Sequence, residues 1–370
     1  MAGVAAAHVL SRRGVKTTLV DLATQHPTVF KAEKAGPHSW PMFEKLGLTE
    51  SLRKVSAHIE SNLDARDGRI VRRLTLGERG YYYHDLVNEV RRTLPPELTQ
   101  VIGRVTAIQT SDDLQKVTLQ GGDEITARLV IVATGNQPKV HDLLGIEKNY
   151  YVGEEAVGFA FLLARTDGRP FWFDGSAMTY YPNGSDTRMS YFSMFPIPNG
   201  LRVNFFGFRP GKDPWVHEMQ RRPEEVIRRT FPRLESLIGD FKVATKVESA
   251  VLNPYEAINV RRPGIVLIGD ALMTVPPSTG KGVYRLFYDV DCITQLAPRW
   301  LDTPGMGIEK INMHYDSPQR KEAQLFAREK ALYSWWSSTS PTLRATIHRE
   351  KHFIMERAKN LVGYTADVGA

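Results

Sequence analysis

One stretch, from Arg262 to Val290, constrains the fold of this chain more than any other. Ile265 to Ile268 form an unbroken aliphatic run bounded by Pro263 and Gly269, which reads as a buried parallel strand. Gly269 and Asp270 follow at its carboxyl end, where open α/β sheets bind their ligands. Pro276 and Pro277 hold the chain extended, and Gly280 and Gly282 strip side chains from around Lys281. Val283, Leu286, Phe287 and Val290 then recur at helical spacing. A glycine-bounded turn entering a helix offers bare N–H groups and a positive dipole end, a place to hold negative charge. Taken alone, the same pattern also describes an ordinary strand–turn–helix with two glycines for close packing.

The order of strand, Gly-Asp, Pro, Gly-x-Gly, helix and Asp289 resembles the second flavin motif of para-hydroxybenzoate hydroxylase-like flavoprotein monooxygenases. The resemblance implies that Asp270, after Gly269, binds the ribityl hydroxyls of FAD. It implies that Pro277, Gly280 and Gly282 lie along the flavin ring, and that Asp289 orders the helix start. Met273, Lys281 and Tyr284 depart from the family, which usually has His, Gln and Asn there.

The N-terminus reads at once as a helix, with Val4, Ala7 and Leu10 on one side and Gly14 as its stop. Lys16 to Val20 reads as a strand ending in Asp21. The resemblance makes this the second half of a dinucleotide-binding βαβ unit. Gly3 matches the third glycine of Gly-x-Gly-x-x-Gly, and Asp21 falls where an acid takes the adenosine ribose. The strand and first two glycines that precede that point in the family are not in this sequence. Without that strand its neighbours would stand about 9–10 Å apart, twice the usual spacing. The chain thus reads as an N-terminally short version, with a misplaced start as one account of it, and badly impaired FAD affinity is the expectation if the short form is real.

Lys31 is the best match to a family arginine near the flavin phosphate or ribityl region, with Glu33 or Lys34 as inward-pointing alternatives. Tyr83 holds the place of a polar flavin contact, although an aromatic packed under the sheet is the plainer expectation. Ala127 to Ala133 reads as a buried strand leading to Thr134-Gly135, where the family usually has Asp-Gly. Ala-Thr-Gly is common in other FAD-binding oxidoreductases, so Gly135 is expected beside the cofactor.

Ser61 to Leu76 reads as a hairpin turning at Asp67-Gly68, and Tyr81 to Leu94 as a helix. From Gly158 to Phe208 come short aromatic runs, Phe159–Leu163, Pro170–Phe173, Ala177–Tyr181, Met189–Met194 and Leu201–Phe208. Asp-Gly and Asn-Gly turns separate them, the signature of an antiparallel meander. It matches the substrate domain of the resembled family, with Tyr180, Tyr191 and Phe206 as candidate pocket walls. Beyond Cys292 the chain reads helical through Trp300, from Ile308 to Trp336 and from Leu343 to Val362. Trp335-Trp336 and the basic stretch His348–Lys359 fit either a helical cap or an interface, which leaves a homodimer open.

The fold class expected is therefore α/β, a Rossmann-like FAD-binding domain with an inserted antiparallel β-sheet substrate domain and C-terminal helices. Residues 1–150 and 246–300 would form the FAD-binding domain, 151–245 the substrate domain joined by the 61–76 hairpin, and 301–370 the cap. A single cysteine excludes an internal disulfide framework and suits a reducing cytoplasm. No apolar run reaches the ~18 residues of a membrane span. The formal charge of +7 is scattered, which argues against a nucleic-acid face and suits anionic small molecules. No metal cluster is apparent, and no catalytic base can be named. The expected activity is an FAD-dependent hydroxylase using NAD(P)H and O₂ on a small aromatic or unsaturated molecule. The rivals are a reductase or dehydrogenase of the same fold and a relative that has lost its flavin.

Overall fold

The computed structural model describes residues 1–184 and 187–361. Two layers of different construction meet in it. The first is a parallel layer under helices. Thr18–Asp21 runs beside Thr99–Ile102, and Val130–Val132 beside Ile265–Leu267. Among the described residues these are two separate two-stranded ladders, with no hydrogen bonds joining one to the other. The Ala2–Arg12 helix packs on the long Gly282–Leu301 helix and shares its apolar core. Ile265 to Ile268 are fully buried in that core, as an all-aliphatic strand covered on both faces must be.

The second layer is an eight-stranded sheet. Its order is Phe241–Val243, Ala156–Arg165, Gly200–Phe208, Met189–Ile197, Ala177–Tyr181, Asn62–Arg66 and Arg69–Leu74, with Glu248–Leu252 also on Ala156–Arg165. All pairs are antiparallel except Ala177–Tyr181 with Asn62–Arg66, which run parallel. The Asn62–Leu74 hairpin turns through Asp67 and Gly68 at φ of 53° and 72°, the left-handed pair that a two-residue hairpin loop requires. Phe159, Phe161, Phe192, Phe205 and Phe231 fill a core between one face of this sheet and the Pro214–Arg221 and Pro223–Thr230 helices. The opposite face looks toward the glycine turn of the parallel layer.

Three local expectations change. Pro170–Phe173 is no strand: it is a turn that buries Phe171 and Phe173, while the Trp172 indole donates to the Leu237 carbonyl at 2.8 Å. Pro170 brings no ladder donor, and two aromatic anchors are enough to seat a turn. The helix expected from Tyr81 starts at Tyr83, because Glu78–Tyr82 is the central strand of a three-stranded sheet between Ala32–Ala35 and Ser56–Ile59. Consecutive tyrosines favour a pleated surface over a first helical turn. The helix expected from Ile308 to Trp336 is two, Ile308–Tyr315 and Pro318–Thr339, since Pro318 starts a helix but cannot continue one. The last helix runs Leu343–Leu361, and its expected end at Val362 lies outside the described residues. Among the described residues no helix is long and apolar enough to cross a membrane.

Candidate functional site

The chain leaving the Ile265–Leu267 strand is held at almost every residue by a side chain from elsewhere. The Gly269 N–H donates to Asp289 Oδ2 at 3.0 Å. The Asp270 carbonyl accepts from the Tyr255 hydroxyl at 2.6 Å, and the Ala271 carbonyl pairs with His141 Nε2 at 2.8 Å. The Met273 carbonyl accepts from Arg285 Nη2 at 2.8 Å, and the Thr274 carbonyl from the Tyr151 hydroxyl at 2.7 Å. Gly269 itself has φ 62°, and a Cβ there would stand 2.8 Å from the Ala2 methyl. Glycine is therefore required twice over, by backbone conformation and by the closeness of the first helix.

Behind this segment lies a buried charge cluster. Arg285 Nη1 meets Asp289 Oδ2 at 2.6 Å, both side chains about 1% exposed. Arg320 Nη1 approaches Asp289 Oδ1 at 3.4 Å, while Arg320 Nε donates to the His314 carbonyl and Nη2 to the Tyr315 carbonyl. One carboxylate thus sits between two guanidiniums and a backbone N–H. Such a cluster fixes geometry, because removing any member strands a buried charge. The sequence reading assigned Asp289 to ordering the helix start but missed Arg285, Arg320, Tyr255 and His141. Arg285 and Asp289 stand one helical turn apart, a pairing visible in the sequence. The other three come from distant segments and leave no local signal.

The Asp270 side chain is about 44% exposed, and its ion-pair contact is Arg285 Nη2 at 3.9 Å. It has room to accept hydrogen bonds from a ligand. Around it gather Lys31, Tyr83 and the first residue of the chain. Lys31 Nζ lies 4.5 Å from the Tyr83 ring centroid and 3.3 Å from Glu33. Burial opposes its charge, but Glu33, Tyr83 and Asp270 outweigh burial and hold its pKa above the ordinary lysine range. The Met1 amine donates to the Tyr83 hydroxyl at 2.9 Å, and burial, then Lys31, pushes its pKa down to about 5. Burial likewise pushes the Tyr83 phenol up to about 12. Tyr83 therefore faces the same place as Asp270 rather than only packing under the sheet.

Gly280, at φ 60°, ends a short turn over Pro277–Thr279, and nothing lies within 4 Å of where its Cβ would be. Gly282 opens the 20-residue helix that follows. The turn is anchored to the other layer, since the Tyr191 hydroxyl donates to the Ser278 carbonyl at 3.0 Å and Ser278 Oγ meets Ser334 Oγ at 2.8 Å. Tyr191 and Phe206 stand edge to face at 5.6 Å on the sheet face toward this turn. Tyr180 does not join them. It is buried on the core side, 5.6 Å from Phe231, and its hydroxyl accepts from the Gly68 N–H.

Gly3 and Gly135 flank the other side. A Cβ on Gly3 would meet the Ala133 methyl at 3.1 Å, so its absence lets the first helix close on the Val130–Val132 strand end. Gly135 has φ 66° with open space around it. Asp21 ends its strand as expected, but its carboxylate is ion-paired with Arg91 and accepts from the Leu22 N–H at 2.7 Å. A ligand at Asp21 would have to share it with that arginine.

Residues 1–284 match the family model described as an FAD binding domain. The chain belongs to that family. Its relatives include the 3-demethoxyubiquinol 3-hydroxylase of Escherichia coli, 23% identical over 79% of this chain and 76% of that protein. The 6-hydroxynicotinate 3-monooxygenase of Bordetella bronchiseptica is 22% identical over 80% of each. In fold the chain resembles the p-nitrophenol 4-monooxygenase of Pseudomonas putida, with a TM-score of 0.73 at 16% identity, covering 99% of this chain and 95% of that one. The residues of this family member suit FAD on physical grounds. A half-exposed carboxylate can take sugar hydroxyls, the open spaces at Gly280 and Gly135 admit a flat group and a close backbone, and Lys31, paired with Glu33, is a cation that a phosphate would meet by sharing it.

Proposed function

We propose that this chain is an FAD-dependent monooxygenase that uses NAD(P)H and O₂ to oxygenate a small aromatic or unsaturated substrate. The observation that carries the reading is the pinned Gly269–Thr274 segment presenting the half-exposed Asp270 carboxylate beside the open Gly280–Gly282 turn. Bound FAD would supply the redox chemistry, taking electrons from NAD(P)H and delivering them to O₂. The chain's own residues bind, orient and shield. Asp270 takes the ribityl hydroxyls, and Pro277, Gly280 and Gly282 form a shelf for the ring. The N-terminal end of the Gly282–Leu301 helix favours negative charge at the ring's edge. Lys31 faces the phosphates, Gly3 and Gly135 permit close approach, and Asp21 meets the adenosine ribose in company with Arg91.

In this reading residues 1–150 and 246–300 hold FAD, and 151–245 with the 61–76 hairpin roof the substrate. Residues 301–361 form the described part of the C-terminal cap, and the rest of the 301–370 segment lies outside the described residues. Tyr191 and Phe206 exclude water from the reaction side. The single cysteine, Cys292, suits a cytoplasmic setting. Trp335 and Trp336 are engaged within the chain, Trp335 against Gly153 and Trp336 at 5.6 Å from the His348 ring, which favours the cap over a homodimer interface at those residues.

The test is product oxygen. With NAD(P)H, FAD and ¹⁸O₂, label should appear in the product, and Asp270→Ala should weaken FAD binding at least about tenfold, the worth of hydrogen bonds to a charged group. A reductase of the same fold is the second reading, favoured by Ala133-Thr134-Gly135 where the monooxygenases usually have Asp-Gly. Substrate turnover with unlabelled product would decide for it.

A further inference from the structure

The last helix, Leu343–Leu361, is apolar on two opposite sides. Its inner side is packed against the protein. Ala345 and Phe353 are buried, and the Phe353 ring lies 5.2 Å from that of Tyr181 and 4.4 Å from the Arg66 guanidinium. Glu350 is drawn down to Arg66 Nη2 at 2.6 Å, and Arg349 Nη1 donates to the Ser337 and Ser340 carbonyls. These contacts fix which side of the helix faces water. That side carries Leu343, Ile347 and Ile354, at 75%, 57% and 61% exposure, with Met355 at 48% beside them. Positions i, i+4 and i+11 fall on one line along a helix, so the three form a stripe about three turns long.

Large aliphatic side chains gathered on one exposed face mark a contact site, as scattered single ones do not. The charges around the stripe say what the contact is. Arg344 and Lys351 border it, both exposed, and among the described residues neither has a carboxylate within 4.0 Å. The helix sequence holds five Lys and Arg against two Glu, and one of the two, Glu350, is taken up by Arg66. Arg69 and Arg73 are exposed on the edge strand that the helix packs on. The face is thus apolar along its middle and positive at its rim. A second copy would set one basic rim against another, because a two-fold interface uses the same patch twice. An anionic bilayer answers both features: its headgroups meet the cations, and the boundary with its acyl chains takes the apolar side chains.

We propose that this face docks the protein on an anionic lipid surface, with Leu343, Ile347, Ile354 and Met355 set into the headgroup boundary and Arg344 and Lys351 on the headgroups. The helix lies in the plane of the membrane and does not cross it, being too polar for a span. The docking does not depend on the chemistry of the flavin site.

The test is flotation of the full chain with vesicles, one set of phosphatidylcholine alone and one of phosphatidylcholine and phosphatidylglycerol in roughly equal parts. The protein should bind the anionic vesicles, bind the neutral ones at least about tenfold more weakly, and be released progressively as salt is raised. Leu343→Ser, Ile347→Ser and Ile354→Ser combined should weaken binding to the anionic vesicles by about tenfold or more. Arg344→Gln and Lys351→Gln should each weaken it by about fivefold and flatten the salt dependence. The substituted side chains are exposed, so circular dichroism and melting temperature should match the parent and identify the variants as folded. No flotation, equal binding to both vesicle types, or full binding by the triple variant would each overturn the proposal. So would a chain that does not float but dimerises in sedimentation equilibrium, with the triple variant monomeric, which would give the face to a second copy. Absence of ¹⁸O from the product would reject oxygenation and leave the vesicle results standing, so the two ideas fail separately.

Discussion

The eight-stranded sheet closes its own core, with Phe159, Phe161, Phe192 and Phe205 fully buried between strands that pair along up to eight residues. Among the described residues the parallel layer has only two short ladders, and the open side of the Ile265–Leu267 strand is met by the Tyr315 hydroxyl, which accepts from the Leu267 N–H at 2.9 Å. What the parallel layer lacks in ladder hydrogen bonds is made up by side chains: Asp289, Arg285, Tyr255 and His141 tether the Gly269–Thr274 segment. One layer is held by apolar packing, which is tolerant of ligand loss. The other has an apolar core as well, but its segment beside the place a ligand would occupy is held by buried polar groups, so the order of that segment and its binding function depend on the same residues.

Two substitutions should break this contrast most forcefully. Asp289→Ala would leave Arg285 and Arg320 buried without their carboxylate, at a cost of about 3–5 kcal/mol. Phe205→Ala would open a cavity in the other layer at a similar cost of about 3–5 kcal/mol. Both should lower the denaturation midpoint alike. Only Asp289→Ala should also weaken FAD binding, measured by flavin fluorescence at a temperature where both variants are folded. Equal loss of flavin in the two would show that the layers are not separable.

FAD itself should sharpen the difference next. A ligand at 100 times its dissociation constant adds about 2.7 kcal/mol to stability. Hydrogen exchange should then slow over residues 1–21, 130–135 and 265–290, and change little over 156–165 and 189–208. Protection spread evenly over both layers would count against a site confined to the first.

The same contrast explains what could be read from residue order. The Ile265–Val290 motif, the hairpin at Asp67-Gly68 and the Asn-Gly-punctuated strands announce themselves because their signals are local: an apolar run, a turn pair, a period of two. The tethering groups do not. Nothing near Tyr255 or His141 in sequence says that its polar tip will reach the Asp270 or Ala271 carbonyl. Tyr180 and Tyr191 looked equivalent, and only the side of the sheet each faces separates a core residue from one beside the glycine turn. Asp21 was placed correctly at a strand end, but its partner Arg91 is 70 residues away. The two parallel ladders were foreseeable from the strand count, whereas the hydroxyl that meets the outer edge of one was not.

The smallest effect expected is a pH dependence, and it too divides the layers. His8, His141 and His314 are buried, and all three lie on helices beside the parallel layer. The ring nitrogens of His8 and His314 have no hydrogen-bond partner among the described residues. Burial lowers the pKa of each: Arg12 adds to it at His8, Arg320 adds to it at His314, and Lys148 adds to it at His141 against the opposing hydrogen bond to the Ala271 carbonyl. A histidine whose folded pKa is depressed takes up its proton more readily when unfolded. Its stabilising contribution is therefore complete above the unfolded value of about 6.5 and is lost as the pH falls below it. Between the unfolded and folded pKa values each such histidine costs up to about 1.4 kcal/mol per pH unit. In the eight-stranded sheet and its covering helices, His217 is exposed. Acidification from pH 7.5 toward 5 should thus loosen the parallel layer first, seen as faster hydrogen exchange in residues 2–12 and 308–315 before any change in 189–208. His314→Phe, which fills the space without a titrating group, should flatten that response, and an acid transition unchanged by it would remove His314 from the cause.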